Sequence, residues 1–289
     1  ADAMADARTE DNTYIIGEAV KADNKEAYDL STAISMIPYE NGKVFKASVY
    51  LKGGELFKFT NGTDWGSCQS YNAEYENCEF NDQINTANLI FSNSNDYKFK
   101  VSESGNYDIT LDLEKGTIEV DKSAYQTTNY DRYPALFVIG INNDWTLSKA
   151  TPLTQPDASK PYLLSGCMEG KSGATFKFAT HRVDGDWSQV FGIKGSTDED
   201  VAFEANNDQK WTIPADGYYY ITVNRLTKKM SFASSATVTI GASGYATYCI
   251  GAPIDFSSVS GLTAYIASEA KDGTVTMTPV KTASANTGL

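Results

Sequence analysis

The stretch YKFKVSESGNYDITLDLEKGTIEV, residues 97–120, decides the fold class of this 289-residue chain. Apolar and polar residues alternate from Tyr107 to Leu113, which is the period of a half-buried antiparallel strand. Glycines at positions 105 and 116 supply turn signals where strands join. Several short strands at such spacing predict an all-β sandwich or barrel.

The same pattern occurs again in QKWTIPADGYYYITVNRLTKKMSF, residues 209–232. Other short motifs also recur in a fixed order: YIIG (14–17) and FVIG (137–140), Phe-Lys-Phe (57–59 and 176–178), and Asp-Trp (64–65 and 186–187). Because the order is preserved, chance is a poor explanation. The motifs indicate a tandem repeat of about 100 residues.

These motifs predict tandem antiparallel β-sandwich domains, immunoglobulin-like or carbohydrate-binding-module-like, over 14–122 and 137–233. Residues 237–289 match neither copy and are predicted to form a smaller, incomplete C-terminal β-rich unit. Residues 1–13 are interpreted as a linker or tag. Residues 121–135 are polar and end in proline, which is typical of a short interdomain linker.

Charge and hydropathy exclude several classes of function. The 24 Lys+Arg against 37 Asp+Glu give a net charge of −13, which repels polyphosphates and disfavours nucleic-acid binding. No apolar run is long enough for a transmembrane helix, and residues 1–13 lack the apolar stretch of a signal peptide. Neutral and cationic ligands are compatible with this net charge.

The four cysteines, Cys68, Cys78, Cys167 and Cys249, show no C-x-x-C pair. With a single histidine, a structural zinc site is not expected. Cys68 and Cys78 are close enough in sequence to bridge a loop if the protein is exported, and to remain thiols if it is not. Cys167 and Cys249 are interpreted as small buried hydrophobes or free thiols.

Two lysines are candidates for ligand binding. Strand alternation sends Phe176 and Phe178 to one face and Lys177 to the other, and Lys58 has the same setting. A lysine there is ordinarily just a solvated residue. Its recurrence beside a loop tryptophan in both copies favours a functional role.

Tryptophans in polar loops predict an aromatic platform for sugar. Trp145 and Trp187 each follow Asp and precede Thr or Ser, a setting that suits a partly exposed ring, although buried packing is the ordinary fate of tryptophan. The apolar face of a pyranose ring stacks on indole, and Lys177 and Arg182 can donate to its hydroxyls. Arg182 could equally pair with a neighbouring aspartate.

The first copy offers Trp65, Lys58 and Tyr28, the last in the place of Trp145, and no arginine in the place of Arg182. The sugar site of the first copy is predicted to bind more weakly, to have an altered specificity or to be lost.

Metal and catalytic sites find little support in the sequence. The acidic clusters at Asp184-x-Asp186 and TDEDVAFEANND (197–208) lack the twelve-residue calcium-loop pattern, which favours solvated acidic loops. His181 has no nucleophile motif beside it. Paired carboxylates for glycoside cleavage are not singled out. No cofactor is expected.

The ordered motifs over 14–232 resemble the tandem starch-binding domains of SusE and SusF, outer-surface lipoproteins of Bacteroidetes. The resemblance implies β-sandwich domains without catalytic activity. It assigns sugar binding to Trp145, Trp187, Lys177 and Arg182 in the second copy and to Tyr28, Trp65 and Lys58 in the first. It also implies a lipid anchor outside this sequence, an outer-membrane surface location and an importer complex as partner.

Three functions follow from these predictions. The first is non-catalytic capture of a polysaccharide, starch or another α-glucan favoured, for uptake by the cell. The second is a set of carbohydrate-binding modules from a glycoside hydrolase whose catalytic domain lies elsewhere. The third is a surface adhesin in which the tryptophans are packing residues.

Overall fold

The computed structural model describes residues 8–20, 25–92, 94–126, 133–193, 201, 209–234, 240, 242–244, 246–247, 254–256, 261–283 and 287–289. Within these ranges the regular structure consists of β-strands and three short 3-10 helices, Leu30–Thr32, Glu40–Gly42 and Leu147–Lys149. No described helix has the length and hydropathy needed to cross a bilayer. The all-β prediction is confirmed for this part of the chain.

The described part of the first copy forms eleven strands. They are β1 (Tyr14–Gly17), β2 (Ile34–Ser35), β3 (Ile37–Tyr39), β4 (Val44–Leu51), β5 (Leu56–Thr60), β6 (Ser70–Ala73), β7 (Cys78–Phe80), β8 (Thr86–Phe91), β9 (Phe99–Val101), β10 (Gly105–Asp112) and β11 (Thr117–Lys122).

Strand β8 joins the two sides of the first copy. Its beginning pairs with β11, at Thr86↔Glu119, and its end pairs with β6, at Phe91↔Tyr71. The path is therefore continuous, in the order β2-β1-β5-β6-β8-β11-β10-β4-β3, with β9 added to β5 and β7 added to β9. Because one continuous path includes nearly all strands of the first copy, its form is close to a barrel. The sandwich form expected from the sequence stays a prediction.

Alternation along the strands builds the core of the first copy, as the sequence predicts. Phe57 and Phe59 of β5 are fully buried, as are Ile109 and Leu111 of β10. Phe80 and Phe99 stack with ring centroids 5.7 Å apart. Burying each large apolar side chain contributes on the order of 2 kcal/mol, so this alternating face is a main source of stability.

In the second copy, the residues that the structure describes form eight strands. They are β12 (Phe137–Ile139), β13 (Thr151–Pro152), β14 (Leu163–Gly170), β15 (Thr175–Ala179), β16 (Val190–Phe191), β17 (Trp211–Thr212), β18 (Gly217–Asn224) and β19 (Lys229–Ser234).

These strands form two sheets around a common core. One sheet has the order β13-β12-β15-β16 with β17 also on β15, and the other has the order β14-β18-β19. Phe176 and Phe178 of β15 pack against Trp211, with ring centroids 5.5 Å and 5.2 Å away. The predicted inward direction of both phenylalanines is confirmed.

The two copies also pack against each other. Ile37 of β3 is fully buried in the core cluster of the second copy, and Gln155 donates its backbone N–H to the Tyr39 hydroxyl at 2.9 Å. Arg225, fully buried, donates from Nη1 to the Ser48 carbonyl at 3.1 Å. Both apolar and charged groups are therefore removed from water where the copies meet.

The C-terminal part is also made of strands. The hairpin of β21 (Ala264–Lys271) and β22 (Thr274–Val280) has a bulge between Ala267 and Glu269. The short strands β20 (Ile254–Asp255) and β23 (Thr282–Ala283) pair with each other.

All described strand pairs lie within 14–122, 137–234 or 254–283. The predicted domain boundaries stay predictions. Cys249, the acidic stretch 197–208 apart from Val201, residues 1–7 of the segment interpreted as a tag and residues 127–132 of the linker lie outside the described residues.

Candidate functional site

The recurring Asp-Trp pair forms the same kind of turn in both copies. The Asp64 carboxylate accepts from the Gly66 backbone N–H and the Ser67 hydroxyl. In the second copy, Asp186 accepts from the N–H and hydroxyl of Ser188. An aspartate that bonds its own backbone two residues on closes a tight turn. The tryptophan between these groups is thereby held outward, with 47% of Trp65 and 46% of Trp187 exposed.

A separate loop presents Trp145 to the same place. The Asn143 side chain donates to the Val138 carbonyl and accepts from the Gly140 N–H, which closes the loop on β12. Trp145 itself has a positive φ of 56°, a conformation that costs free energy in a residue with a bulky side chain. The fixed loop therefore holds this indole in a backbone conformation it would otherwise avoid.

Gly140 lies directly against the Trp145 ring. It has a φ of +110°, and a Cβ built there would overlap the Thr175 carbonyl oxygen and lie 2.8 Å from Cζ2 of Trp145. We expect Gly140→Ala to lower the free energy of unfolding by about 3 kcal/mol through overlap and backbone strain. Urea titration measures the loss, and acrylamide quenching reports the displaced indole.

Gly173→Ala is the matched control for this prediction. Gly173 has a φ of +80°, and a Cβ there would meet open space. Its substitution introduces backbone strain without overlap, at a cost of about 1 kcal/mol. Equal losses in the two variants would contradict a steric role for Gly140 beneath the indole.

The two indoles of the second copy lie side by side. The ring centroids of Trp145 and Trp187 are 6.5 Å apart and the rings are inclined by 37°. Trp145 is half-buried against the core, and Trp187 is exposed. The Lys210 Nζ lies 5.5 Å from the Trp145 ring centroid. The pair is an aromatic surface whose exposed part is Trp187, with a cation over the Trp145 ring.

A carboxylate ties the two tryptophan loops together. Asp184, in the loop of Trp187, accepts from the backbone N–H of Ser148 at 2.8 Å and from its hydroxyl at 2.7 Å. Both bonds lower the pKa of Asp184 below its ordinary value, and the bond from the Ser148 hydroxyl has the larger effect. The ionised carboxylate therefore helps to keep the indoles in fixed relation.

The single histidine supports the Trp187 loop from beneath. His181 is buried, its Nε2 lies 3.2 Å from Oδ2 of Asp186, and its Nδ1 has no hydrogen-bond partner. Burial lowers the pKa of His181 below its ordinary value of 6.5, and the Asp186 charge only partly opposes this shift. The folded protein therefore favours the neutral form of the His181 imidazole.

Acidification should destabilise the fold through this histidine. A lowered pKa means that the unfolded chain binds the proton more tightly, so the free energy of unfolding falls as the pH drops below 6.5. The pKa of Asp186 is also lowered, because bonds from Ser188 and His181 outweigh its burial, which extends the loss to lower pH. Urea titrations at about pH 7.5 and pH 5 measure the difference.

His181→Gln is the control for this pH dependence, because glutamine keeps a donor and does not titrate. We expect a smaller fall in the free energy of unfolding in this variant than in the parent. The same fall in both proteins would mean that other groups cause the acid sensitivity.

The first copy has a pocket beside its exposed indole. The pocket has a volume of about 350 Å³ and is lined by Lys58, Trp65, Cys68, Ser70, Asn72, Ser92, Asn95 and Asp96. The Trp65 Nε1 donates to the Tyr28 carbonyl at 3.0 Å, which fixes one edge of the indole. The structure therefore gives this copy a concave polar surface next to an aromatic ring.

Two lysines that share one aspartate lie over the Trp65 and Tyr28 rings. Lys58 Nζ lies 4.9 Å from the Trp65 ring centroid and 2.6 Å from Asp96. Lys98 Nζ lies 5.4 Å from the Tyr28 ring centroid and 2.7 Å from the same carboxylate. Burial alone would raise the Asp96 pKa, but both lysines outweigh it and hold the pKa below its ordinary value. An ionised Asp96 is an acceptor for ligand hydroxyls.

The tyrosine hydroxyl in this site is protonated. Burial, together with the charges of Glu18, Asp96 and Glu55, raises the pKa of Tyr28 well above its ordinary value. Its hydroxyl oxygen is buried without a hydrogen-bond partner.

The structure corrects the prediction that Lys58 and Lys177 face solvent. Each is only 8% exposed, so neither lies on a solvated face of its sheet. In the first copy the Lys58 amine contacts Trp65 and Asp96, as described above. The sugar-binding roles of both lysines stay predictions.

Arg182 is held at the boundary between the copies. Its Nε donates to Asn12 Oδ1 at 2.9 Å, its Nη2 donates to the Asp11 carbonyl, and its guanidinium lies over the Phe137 ring. The structure therefore uses this side chain to join the second copy to the segment before β1. Its role as a sugar ligand stays a prediction.

The cysteine bridge considered from the sequence is not formed. Cys68 packs beside Ile16 and Leu30, whereas Cys78 lies in the main core of the first copy. The two side chains belong to different apolar clusters, which explains why proximity in sequence does not make a bond. Cys167 is exposed, not buried.

Sequence reasoning missed the lysines nearest Tyr28 and Trp145. Phe57↔Phe99 and Phe176↔Trp211 are equivalent pairings, so Lys98 and Lys210 occupy the same position in the two copies. Each places its amine over the ring of the N-terminal aromatic, Tyr28 or Trp145. The signal was present, because a lysine precedes the aromatic residue in both YKF and QKW.

Among the described residues no group of three or more histidine, cysteine, aspartate or glutamate side chains is placed to hold a metal ion.

No protein-family model matches this chain. No curated protein matches it either. Among solved structures, the crystal structure of SusF from Bacteroides thetaiotaomicron is similar over 96% of this chain and 71% of that chain, with 11% identity and a TM-score of 0.30. At this TM-score the similarity carries no weight, so function has to come from the geometry of the two aromatic sites.

Proposed function

We propose that this protein binds a neutral polysaccharide without cleaving it. The observation that carries the proposal is the indole pair of Trp145 and Trp187, in which Trp145 is half-buried beneath a lysine amine and Trp187 is exposed to solvent. A sugar ring stacked on one indole removes roughly 100 Å² of apolar surface from water, worth about 2 kcal/mol. Contacts of this size give a weak and reversible binding module.

The charges around both sites favour a neutral glycan. The net charge of −13 opposes an anionic polymer. The amines of Lys210 and Lys98 and the carboxylate of Asp96 can donate to and accept from hydroxyls at the rim of a pyranose. This mixture of donors and acceptors suits a polyol.

The inclination of the indoles favours an α-glucan. Successive α-1,4-linked glucose units turn relative to one another, whereas a β-1,4-linked chain extends as a flatter ribbon. Rings inclined by 37° with centroids 6.5 Å apart match neighbouring units of a chain that turns. We therefore place starch first among the candidate ligands and xylan and mannan after it.

Affinity electrophoresis in gels containing starch, xylan or mannan tests the proposal. We expect retardation in starch, and normal mobility for a Trp65→Ala/Trp187→Ala double variant. Retardation only in xylan or mannan would keep glycan binding and reject the α-glucan. Normal mobility of the parent protein in all three gels would reject the function and favour an adhesin.

Capture beside an outer-membrane importer and a lipid-anchored surface location are part of the same proposal, and they depend only on the sequence resemblance. Cell fractionation and co-purification with membrane proteins test them separately from sugar binding.

A further inference from the structure

A single short segment lies between the tryptophan loops of the two copies. At one end, Trp65 of the first copy donates from Nε1 to the Tyr28 carbonyl at 3.0 Å. At the other end, Gln189 of the second copy donates from Nε2 to the Ser31 carbonyl at 3.1 Å. Residues 28–31 therefore contact both aromatic sites, and we call them the shared segment.

The shared segment is fixed by its own hydrogen bonds. The Asp29 side chain accepts from the Ser31 N–H at 3.0 Å, and its carbonyl accepts from the Thr32 hydroxyl at 2.8 Å. Leu30 is buried against Ile16. These bonds form a capped 3-10 turn, so both attachment points move together.

Gln189 is equally fixed within the loop of Trp187. Its Oε1 accepts from the Thr180 hydroxyl at 2.7 Å, and its carbonyl accepts from the Thr180 N–H at 3.1 Å. Only one residue separates it from the exposed indole. The bond to Ser31 therefore sets the position of the Trp187 loop relative to the first copy.

The reach of the chain bounds the separation of the two sites. From Tyr28 through Ser31 and Gln189 to Trp187 the connections are a few residues and two hydrogen bonds. At about 3.8 Å per residue, the exposed indoles of Trp65 and Trp187 lie within about 30 Å of each other. An oligosaccharide of several units covers such a distance.

We propose that one glycan chain occupies both aromatic sites at once by crossing the shared segment. This inference rests on the proposed function and adds to it a preference for long chains over short ones. The contacts between the copies at Arg182, Ile37 and Arg225 hold the two sites in one orientation. A chain that reaches the second site then binds without a further loss of freedom, which strengthens binding.

Calorimetry with maltotriose and maltoheptaose tests the inference on the full chain. For the longer sugar we expect one molecule per protein and an affinity at least about ten times higher than for the shorter sugar. For maltotriose we expect two independent weak sites. If the gels select xylan or mannan instead, the oligosaccharides of the same two lengths from that polymer replace the maltodextrins.

Variants separate a shared chain from two independent sites. Either Trp65→Ala or Trp187→Ala should reduce the affinity for maltoheptaose to that for maltotriose. The exposed tyrosines Tyr75 and Tyr218 serve as matched controls, because Tyr75→Ala and Tyr218→Ala remove an exposed ring outside the sites. Gln189→Ala should reduce the affinity for maltoheptaose more than the affinity for maltotriose, which removes the advantage of the longer sugar.

The outcomes distinguish failure of the inference from failure of the function. Two equivalent sites with the same affinity for both sugar lengths would overturn the shared chain and keep the glycan-binding function. An unchanged length preference in Gln189→Ala would overturn the role of the shared segment. Binding of neither sugar, with no retardation in any gel, would overturn both.

Discussion

Replacing Trp187 with alanine will weaken glycan binding about 30-fold. The indole is 46% exposed and lies 6.5 Å from its partner Trp145, so its removal leaves one ring of the pair. A stacked sugar covers roughly 100 Å² of apolar surface, and the loss of about 2 kcal/mol corresponds to this factor. Affinity electrophoresis on starch and calorimetry with maltoheptaose measure it.

Tyr218→Ala is the control for this variant. Tyr218 is 57% exposed and lies on β18, in the sheet that does not carry the tryptophan loops. Its removal should leave the affinity unchanged within twofold, and Trp187→Phe should retain part of the parent affinity because phenylalanine still offers an aromatic face. Full binding by Trp187→Ala would show that the indole pair is not the binding surface.

Replacing Arg225 with alanine will destabilise the protein by about 3 kcal/mol. The side chain is fully buried between the copies and donates to the Ser48 carbonyl. Truncation leaves a cavity and removes a charge-assisted bond from a buried carbonyl, each of which costs one to several kcal/mol. Urea unfolding followed by fluorescence and circular dichroism measures the loss.

The form of the unfolding curve is the second readout for Arg225. If this arginine couples the copies, the alanine variant should unfold in two steps where the parent unfolds in one. Arg225→Met keeps most of the buried stem and lacks the donors, so its loss should be smaller. A stability equal to that of the parent in both variants would show that the buried guanidinium contributes nothing to the interface.

Local periodicity explains which parts of the structure were predictable. The Phe-Lys-Phe strands place their phenylalanines in the core as expected, because alternation depends only on neighbours along the chain. The approach of Trp145 to Trp187 was predicted from two polar loops at the ends of matching strands. Those features are encoded within a few residues.

Tertiary contacts explain the parts that were not predictable. The engagement of Arg182 with Asn12 depends on a segment far away in sequence. Arg225 occupies the position that Leu113 has in the first copy, and both are fully buried. A charged residue at the end of a strand gives no sign that another domain covers it.

The burial of Ile37 has a consequence for work on either copy alone. Ile37 belongs to a strand of the first copy, yet it completes the core of the second. Excision of either copy would expose apolar surface or leave a gap. Neither copy is therefore expected to keep its full stability when it is expressed without the other.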